Sequence, residues 1–432
     1  MGQVPFPKFG AGIGLGRVLR VARSMDVDPA DFSARTCVVT GSNGKGSTAA
    51  MTQAILTAHG FSAALFTSPH LRRINERFRL GFEDIAKDDL DRHWAKVERA
   101  CDDYHLKRPD DLIGGFEFLF LVALSWIAET NPDFLVIEAG IGGRYDPVRL
   151  FRAPTTALVS LDLEHTRLLG DTLAAIGFDK MDACAVGGEV VVGPMDEMLL
   201  DELRFYAEIS GRTLTALRPE MHWTSDHGPD GRLRLVIPTP SGPAIAHPAL
   251  AGDVQVANAA ISVHLSQRLL RDGFQPDLAV VGLETTRWPG RLEIIARSPL
   301  TVMDIGHSPA AVRAAKEGLY GAWGSDRFDV LICGASQDKD WGPMIRHLAP
   351  GFAEIVCTKA RHNGMSAEAI AAVARNANPD AVVTVCDLPA DAWAEAKLRT
   401  QPDHGIYIAG GLFLAVEVCV AVTGEAIADP FF

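Results

Sequence analysis

Cysteine is scarce and scattered. The chain carries seven thiols in 432 residues, at Cys37, Cys101, Cys184, Cys333, Cys357, Cys386 and Cys419. The odd total and the lack of any C-x-x-C pair exclude a disulfide framework and a cysteine zinc site, and they suit a reducing cytoplasm. No apolar run is of bilayer length: FLFLVALSWIA, from Phe118, is well short of the ~20 residues a spanning helix needs and follows Glu117. The opening MGQVPFPKFGAGIG offers no apolar stretch for a signal peptide, and Phe6 stands where a myristoylation motif has Ser or Thr. Positive charge is in deficit, 41 Lys and Arg against 54 Asp and Glu for a net −13. That balance argues against nucleic acid or an anionic membrane as partner, while leaving room for a local basic pocket. With no repeat and no low-complexity tract either, the expectation is a cytoplasmic monomer acting on small molecules, with no nucleic-acid and no membrane partner.

What the sequence does have is core-forming material, 47% apolar against 22% charged, arranged as short β-branched runs alternating with longer helical ones. Strands are predicted at 36–40 and 62–67 around a helix at 47–59, which is a βαβ unit. A helix at 116–130 leads into a strand at 134–138, and another strand at 156–161 follows a Gly-rich turn. The rhythm lapses between 219 and 248, where Pro, Gly, Asp and His surround a short strand pair, so a small antiparallel insertion is expected. After a helix at 256–270 and a Pro-containing link near Arg297, strands at 301–304, 329–333, 354–358, 381–386 and 405–409 alternate with helices. The fold class is therefore α/β. An N-terminal P-loop-type ATPase domain (1–297), with a mainly parallel sheet and the small insertion, precedes a C-terminal Rossmann-like domain (298–432).

The sharpest local signal is GSNGKGST, residues 41–48, between a predicted strand and a predicted helix. Glycines let the backbone approach a phosphate, the helix start supplies N–H donors, Lys45 neutralises terminal oxygens, and Ser47 can reach phosphate or Mg²⁺. The strict Walker spacing is not met: Val39 stands where its first Gly belongs, and Gly46 separates Lys45 from Ser47.

This segment resembles the nucleotide loop of the Mur ligase superfamily, and specifically of its folylpolyglutamate synthase and dihydrofolate synthase branch. FTSPHLRRINERFRL (66–80), IEAGIGGRYD (137–146), LEHTRLLGDTL (163–173), WPGRLEI (288–294), DIGHSP (304–309), GASQDKD (334–340) and AGGLFLAVE (409–417) are similar to further stretches of that branch. The resemblance spans nearly the whole chain. It implies ATP-dependent amide formation, in which a carboxylate becomes an acyl phosphate and glutamate's amine displaces phosphate. It implies Asn43, Gly44, Lys45, Gly46, Ser47, Asn258, Arg291 and Asp304 as nucleotide contacts, and Ser68, Glu138 and His165 as ligands for Mg²⁺, two ions, with Mn²⁺ as the alternative. Lys45, Lys180, His165 and His307 are implied as the catalytic set, Lys180 matching a lysine that is carbamylated in the family. Arg77 is matched to a cation that holds the amino-acid carboxylate. Phe116 and Glu117, with Tyr145, Asp146 and Pro147, occupy the places that contact a pteroate- or folate-like acid.

Read without the family, Glu138 is a strand-end carboxylate, His165 a core histidine, Asp304 a strand-end cap, and Lys180 a surface lysine paired with Asp179 or Asp182. The chain also departs from the family pattern. Pro147, Val148 and Arg149 replace Ala-Thr-Asn, Ser308 replaces an Asn, Gly411 replaces a Ser, Asp253 and Val254 replace a basic-His pair, and Glu164 replaces an Asp. These departures keep two other readings open: an acid–amino-acid ligase for a non-folate substrate, and a non-catalytic nucleotide-binding protein.

Overall fold

The computed structural model describes residues 10–227 and 233–425. Phe6, with most of the segment read for a leader, and part of the predicted insertion lie outside the described residues. Thr36–Thr40 (TCVVT) is buried along its whole length, as a β-branched strand covered on both faces should be. It is flanked in parallel by Phe134–Glu138 and Thr155–Leu158. Outward from these, Ala63–Phe66 continues one side, and Glu189–Val192 and Thr213–Ala216 the other, all parallel. An antiparallel hairpin, Phe78–Leu80 with Glu83–Asp84, completes the eight-stranded sheet beyond Ala63–Phe66.

Two apolar cores cover the faces of this sheet. On one, helix Gly115–Thr130 is apolar nearly all round and buried, which accounts for the long apolar run. Among the described residues no helix is long and apolar enough to cross a membrane. On the other, helix Lys45–Ala58 packs between Val254–Leu270 and Pro276–Thr285. Beside it lies a three-stranded antiparallel sheet, Thr224–His227, Leu233–Ile237 and Ala244–Ala246, where the insertion was expected.

A second, six-stranded sheet runs Glu293–Arg297, Leu300–Met303, Gly405–Ala409, Phe328–Cys333, Glu354–Cys357 and Val382–Val385. Only Glu293–Arg297 is antiparallel. The Pro-containing link at 298–299 is thus a hairpin turn inside this sheet, and a division after 297 would cut between two paired strands.

Candidate active site

The chain reverses its strand order around Thr36–Thr40, whose two neighbours come from distant parts of the sequence. In an open α/β sheet the crevice at the carboxyl end of such a strand is where a ligand fits. Gly41 to Gly44 occupies it. Gly41 has φ 140° and packs its Cα against the Ser160 backbone; Gly44 has φ 85°, and a Cβ there would sit 2.7 Å from Asn258 Oδ1. At Gly46 a Cβ would meet the Trp288 ring at 2.8 Å. The loop is pinned from the next strand end: Asn43 N–H donates to Ser160 Oγ, which itself donates to Asn43 O, both at 2.9 Å.

Lys45 Nζ donates to the carbonyls of Gly41 (2.8 Å) and Ser42 (3.1 Å), so its charge is held on the loop by backbone alone. Ser47 Oγ and Thr48 Oγ1 are buried at the helix start with no hydrogen-bond partner. A buried orphan hydroxyl costs about 1–3 kcal/mol. Two in one turn, beside a lysine and the N–H groups of a helix N-terminus, match what a phosphate with its metal ion would satisfy.

Lys180 is no surface lysine. It is 2% exposed, and its Nζ donates to Gly41 O at 3.1 Å and to Glu164 Oε1 at 2.9 Å. Burial lowers its pKa, and Lys45 lowers it further against the pull of Glu164. Asp179 and Asp182 have other work. Asp179 accepts from Gly143 N and Arg144 N, while Asp182 pairs with Arg144 at 2.7 Å and Arg212 at 3.0 Å, fixing the Gly-rich turn.

Glu138, at the end of its strand, is buried and accepts from Ser68 N at 3.0 Å. Burial raises its carboxyl, opposed by the charges of Lys45, Arg291 and Arg77. Ser68 and Glu138 are thus brought together. His165 follows the neighbouring strand in a left-handed conformation (φ 48°), with its side chain exposed. Its pKa is lowered by surrounding protein and by Lys339, Lys180 and Lys45, with Glu164 opposing. Among the described residues no group of three His, Cys, Asp or Glu forms a ready metal cluster.

From the second sheet, Asp304 is buried and accepts from Gly306 N (2.7 Å) and Leu292 N (3.3 Å), which is the capping role its strand-end position suggests. Arg291 lies near enough to draw down the carboxyls of both Asp304 and Glu138. His307 is pushed down to about 4 by the protein around it, then by Lys339 and Arg291, so it is neutral at pH 7. Lys339 influences both His307 and His165, which brings the DKD segment to the same cleft.

The expected acid-side residues are mostly committed to other groups. Arg77 is 4% exposed and donates from Nε to His70 Nδ1 at 2.9 Å, its pKa lowered by burial to about 10. Glu117 is held by Arg17 at 2.8 and 2.9 Å and accepts from Gly114 N. Asp146 accepts from Gly140, Ile141 and Val148 N–H groups. Pro147 is buried at the first position of the short helix Pro147–Phe151, and the half-buried Phe116 packs over Gly140. Tyr145 alone stands out, 51% exposed.

Residues 290–412 match the family model described as Mur ligase, glutamate ligase domain. The chain is 30% identical over 397 residues to a probable bifunctional folylpolyglutamate synthase/dihydropteroate synthase of Haloferax volcanii, covering 88% of this chain and 45% of that one. It is 26% identical to the dihydrofolate synthase/folylpolyglutamate synthase of Haemophilus influenzae, covering 82% and 81%. The first curated relatives are longer, and this chain spans about half their length. The fold is that of Mycobacterium tuberculosis folylpolyglutamate synthase, solved with ADP and AMPPCP: TM-score 0.85, 22% identity, 96% of each chain covered.

Proposed function

The chain belongs to the Mur ligase superfamily, in its folylpolyglutamate synthase and dihydrofolate synthase branch, and from that premise we propose that it joins L-glutamate to a pteroate or folate carboxylate at the expense of ATP. The observation that carries this reading is the pair of orphan hydroxyls, Ser47 Oγ and Thr48 Oγ1, buried beside a lysine that bonds only backbone. A phosphate on this turn would take up that unspent capacity, beside a lysine and the helix N–H groups. Relatives solved with ADP and AMPPCP carry the same fold.

In this reading Lys45 and the helix N–H groups hold the terminal phosphates, with Asn43, Gly44, Gly46 and Asn258 shaping the loop around them. Arg291 and Asp304 bring the second sheet to the nucleotide. Ser47, Ser68, Glu138 and His165 are the residues that would hold Mg²⁺, which when bound neutralises phosphate charge during transfer. The acid's carboxylate attacks the γ-phosphorus and ADP leaves; glutamate's amine then attacks the acyl carbon, inorganic phosphate leaves, and the nitrogen gives up a proton to form the amide. Lys180, kept in place by Glu164, presents to the loop an amine whose charge burial disfavours. His307 stays neutral beside Lys339 and Arg291. Phe116, Glu117, Tyr145, Asp146 and Pro147 form the acid's wall, most of them through the backbone they fix, and Arg77 is the cation for the amino acid's carboxylate. We place the boundary between the two units ahead of residue 290, where the second sheet's hairpin begins.

The departures from the family pattern do not favour a different acid. Ser308 caps helix Pro309–Trp323 by accepting from Ala311 N at 3.2 Å, and Arg149 donates to Arg144 O rather than into the cleft. Glu164 has the extra methylene that lets its carboxylate meet Lys180.

Phosphate release, measured with ATP and Mg²⁺ across dihydropteroate, tetrahydrofolate and other carboxylates, each with several amino acids, tests the proposal. Release that needs a pteroate or folate and glutamate together is expected. Release only with other pairs, or none with tight ATP binding, would overturn it.

A further inference from the structure

Arg149 is the added cation that the cleft does not use, and its surroundings form a second site. Residues 149 and 152 precede strand Thr155–Leu158, residues 183–186 precede Glu189–Val192, and Arg212 precedes Thr213–Ala216. These strands are parallel to Thr36–Thr40, so all of these residues lie at the amino edge of the sheet. The phosphate loop is at the carboxyl edge, about 13 Å away along a four-residue strand. The residues line an open pocket of about 420 Å³, within the volume range of small-ligand sites.

Three of its lining residues are arginines, Arg149, Arg152 and Arg212, and none is a carboxylate. In a chain of net charge −13 that is a local reversal of sign. Arg212, 7% exposed, is anchored from behind: Nε donates to Cys184 O at 2.9 Å and the guanidinium pairs with Asp182 at 3.0 Å. Arg149 spends one nitrogen on Arg144 O at 2.8 Å, and no ion pair within 4.0 Å is found for Arg149 or Arg152 among the described residues. The acid whose charge reaches Arg152 is Asp28, and Asp28 is already paired with Arg23 at 2.7 Å. Arg152 also closes the short helix in a left-handed conformation, φ 52°, a strained position for a residue with a side chain.

We propose that this pocket binds a small free oxyanion, a phosphate- or polycarboxylate-bearing molecule, through the guanidinium groups of Arg149 and Arg152 with Arg212 as the buried floor. The site is separate from the nucleotide loop, and its test reads binding, so it stands apart from the ligase proposal. Full-length Lys45→Ala protein, in which the phosphate loop is disabled, is titrated calorimetrically with inorganic pyrophosphate and, separately, with citrate. One saturable site for at least one probe is expected, weakened about tenfold or more by adding Arg149→Asn and Arg152→Ser. Preference for pyrophosphate identifies a phosphate compound and preference for citrate a polycarboxylate; either upholds the site. Absence of saturation with both probes up to about 10 mM, or affinity unchanged in the double substitution, overturns it. Should the double substitution fail to fold, selenate soaked into wild-type crystals decides. A peak between Arg149 and Arg152 upholds the site, and a peak confined to the phosphate loop overturns it.

Discussion

At the phosphate-loop wall of the cleft, Ser47 Oγ and Thr48 Oγ1 are buried without partners and Lys45 bonds only carbonyls. At the acid-side wall, Glu117 is tied to Arg17, Asp146 to three N–H groups, and Arg77 to His70. The first wall holds polar groups whose hydrogen-bonding capacity is unspent, at a cost in folding free energy that a ligand can recover. The second has spent its polar groups on shape. Residues matched to one family site thus divide into those with hydrogen-bonding capacity left over for a ligand and those that position backbone and rings.

The largest test of this contrast is Lys45→Ala. Among the described residues its charge makes no ion pair, so turnover should fall by about 10²–10³-fold or more, while urea unfolding stays near wild type. Comparable turnover would dissolve the distinction at its strongest point. Glu117→Ala should do the converse. It strands Arg17, 2% exposed, without its nearest carboxylate, and should cost about 3 kcal/mol of stability in urea. The KM for the acid should move less than the stability does, and a large KM rise in a fully stable protein would make Glu117 a ligand contact.

Asp146 sharpens the contrast through pH. Burial lifts its carboxyl from 3.8 to about 6 against its three backbone donors. The folded state therefore holds the proton more tightly than the unfolded state. The stability this adds is full below pH 3.8 and is lost as pH rises through about 6, a change of about 3 kcal/mol. Asp146→Asn should lose that slope, which then appears in the wild-type-minus-variant difference, and a parallel pair of curves would contradict it. The smallest effect is Gly46→Ala. A Cβ 2.8 Å from the Trp288 ring must push the indole aside, for about 1–2 kcal/mol in stability and a measurable weakening of ATP binding.

How much could be read beforehand follows the same division. The phosphate loop is contiguous, so its chemistry is visible in eight letters between a strand and a helix. The central strands of the second sheet were visible too, because β-branched runs buried on both faces have few other interpretations. Helix Lys87–Lys107 went unread, since its buried positions are few and its polar face dominates. The hairpin at Phe78–Asp84 was hidden inside the motif that follows Phe66. Lys180 shows the limit best. Sequence places it next to Asp179 and near Asp182, but its partners, Gly41 O and Glu164, come from 139 and 16 residues away and exist only once two strand ends converge on helix Leu173–Met181. The acid-side wall was legible as a set of positions and illegible in role, because hydrogen bonds such as Arg17 to Glu117, 100 residues apart, leave no local trace.

A crystal structure with a non-hydrolysable ATP analogue, Mg²⁺ and dihydropteroate would show whether one wall receives the nucleotide while the other only shapes the cleft. The analogue's terminal phosphates should lie on Lys45 and Ser47, with Arg17–Glu117 and Arg77–His70 still joined. Opening of either pair to hold the acid, with Ser47 and Thr48 left unpartnered, would contradict it.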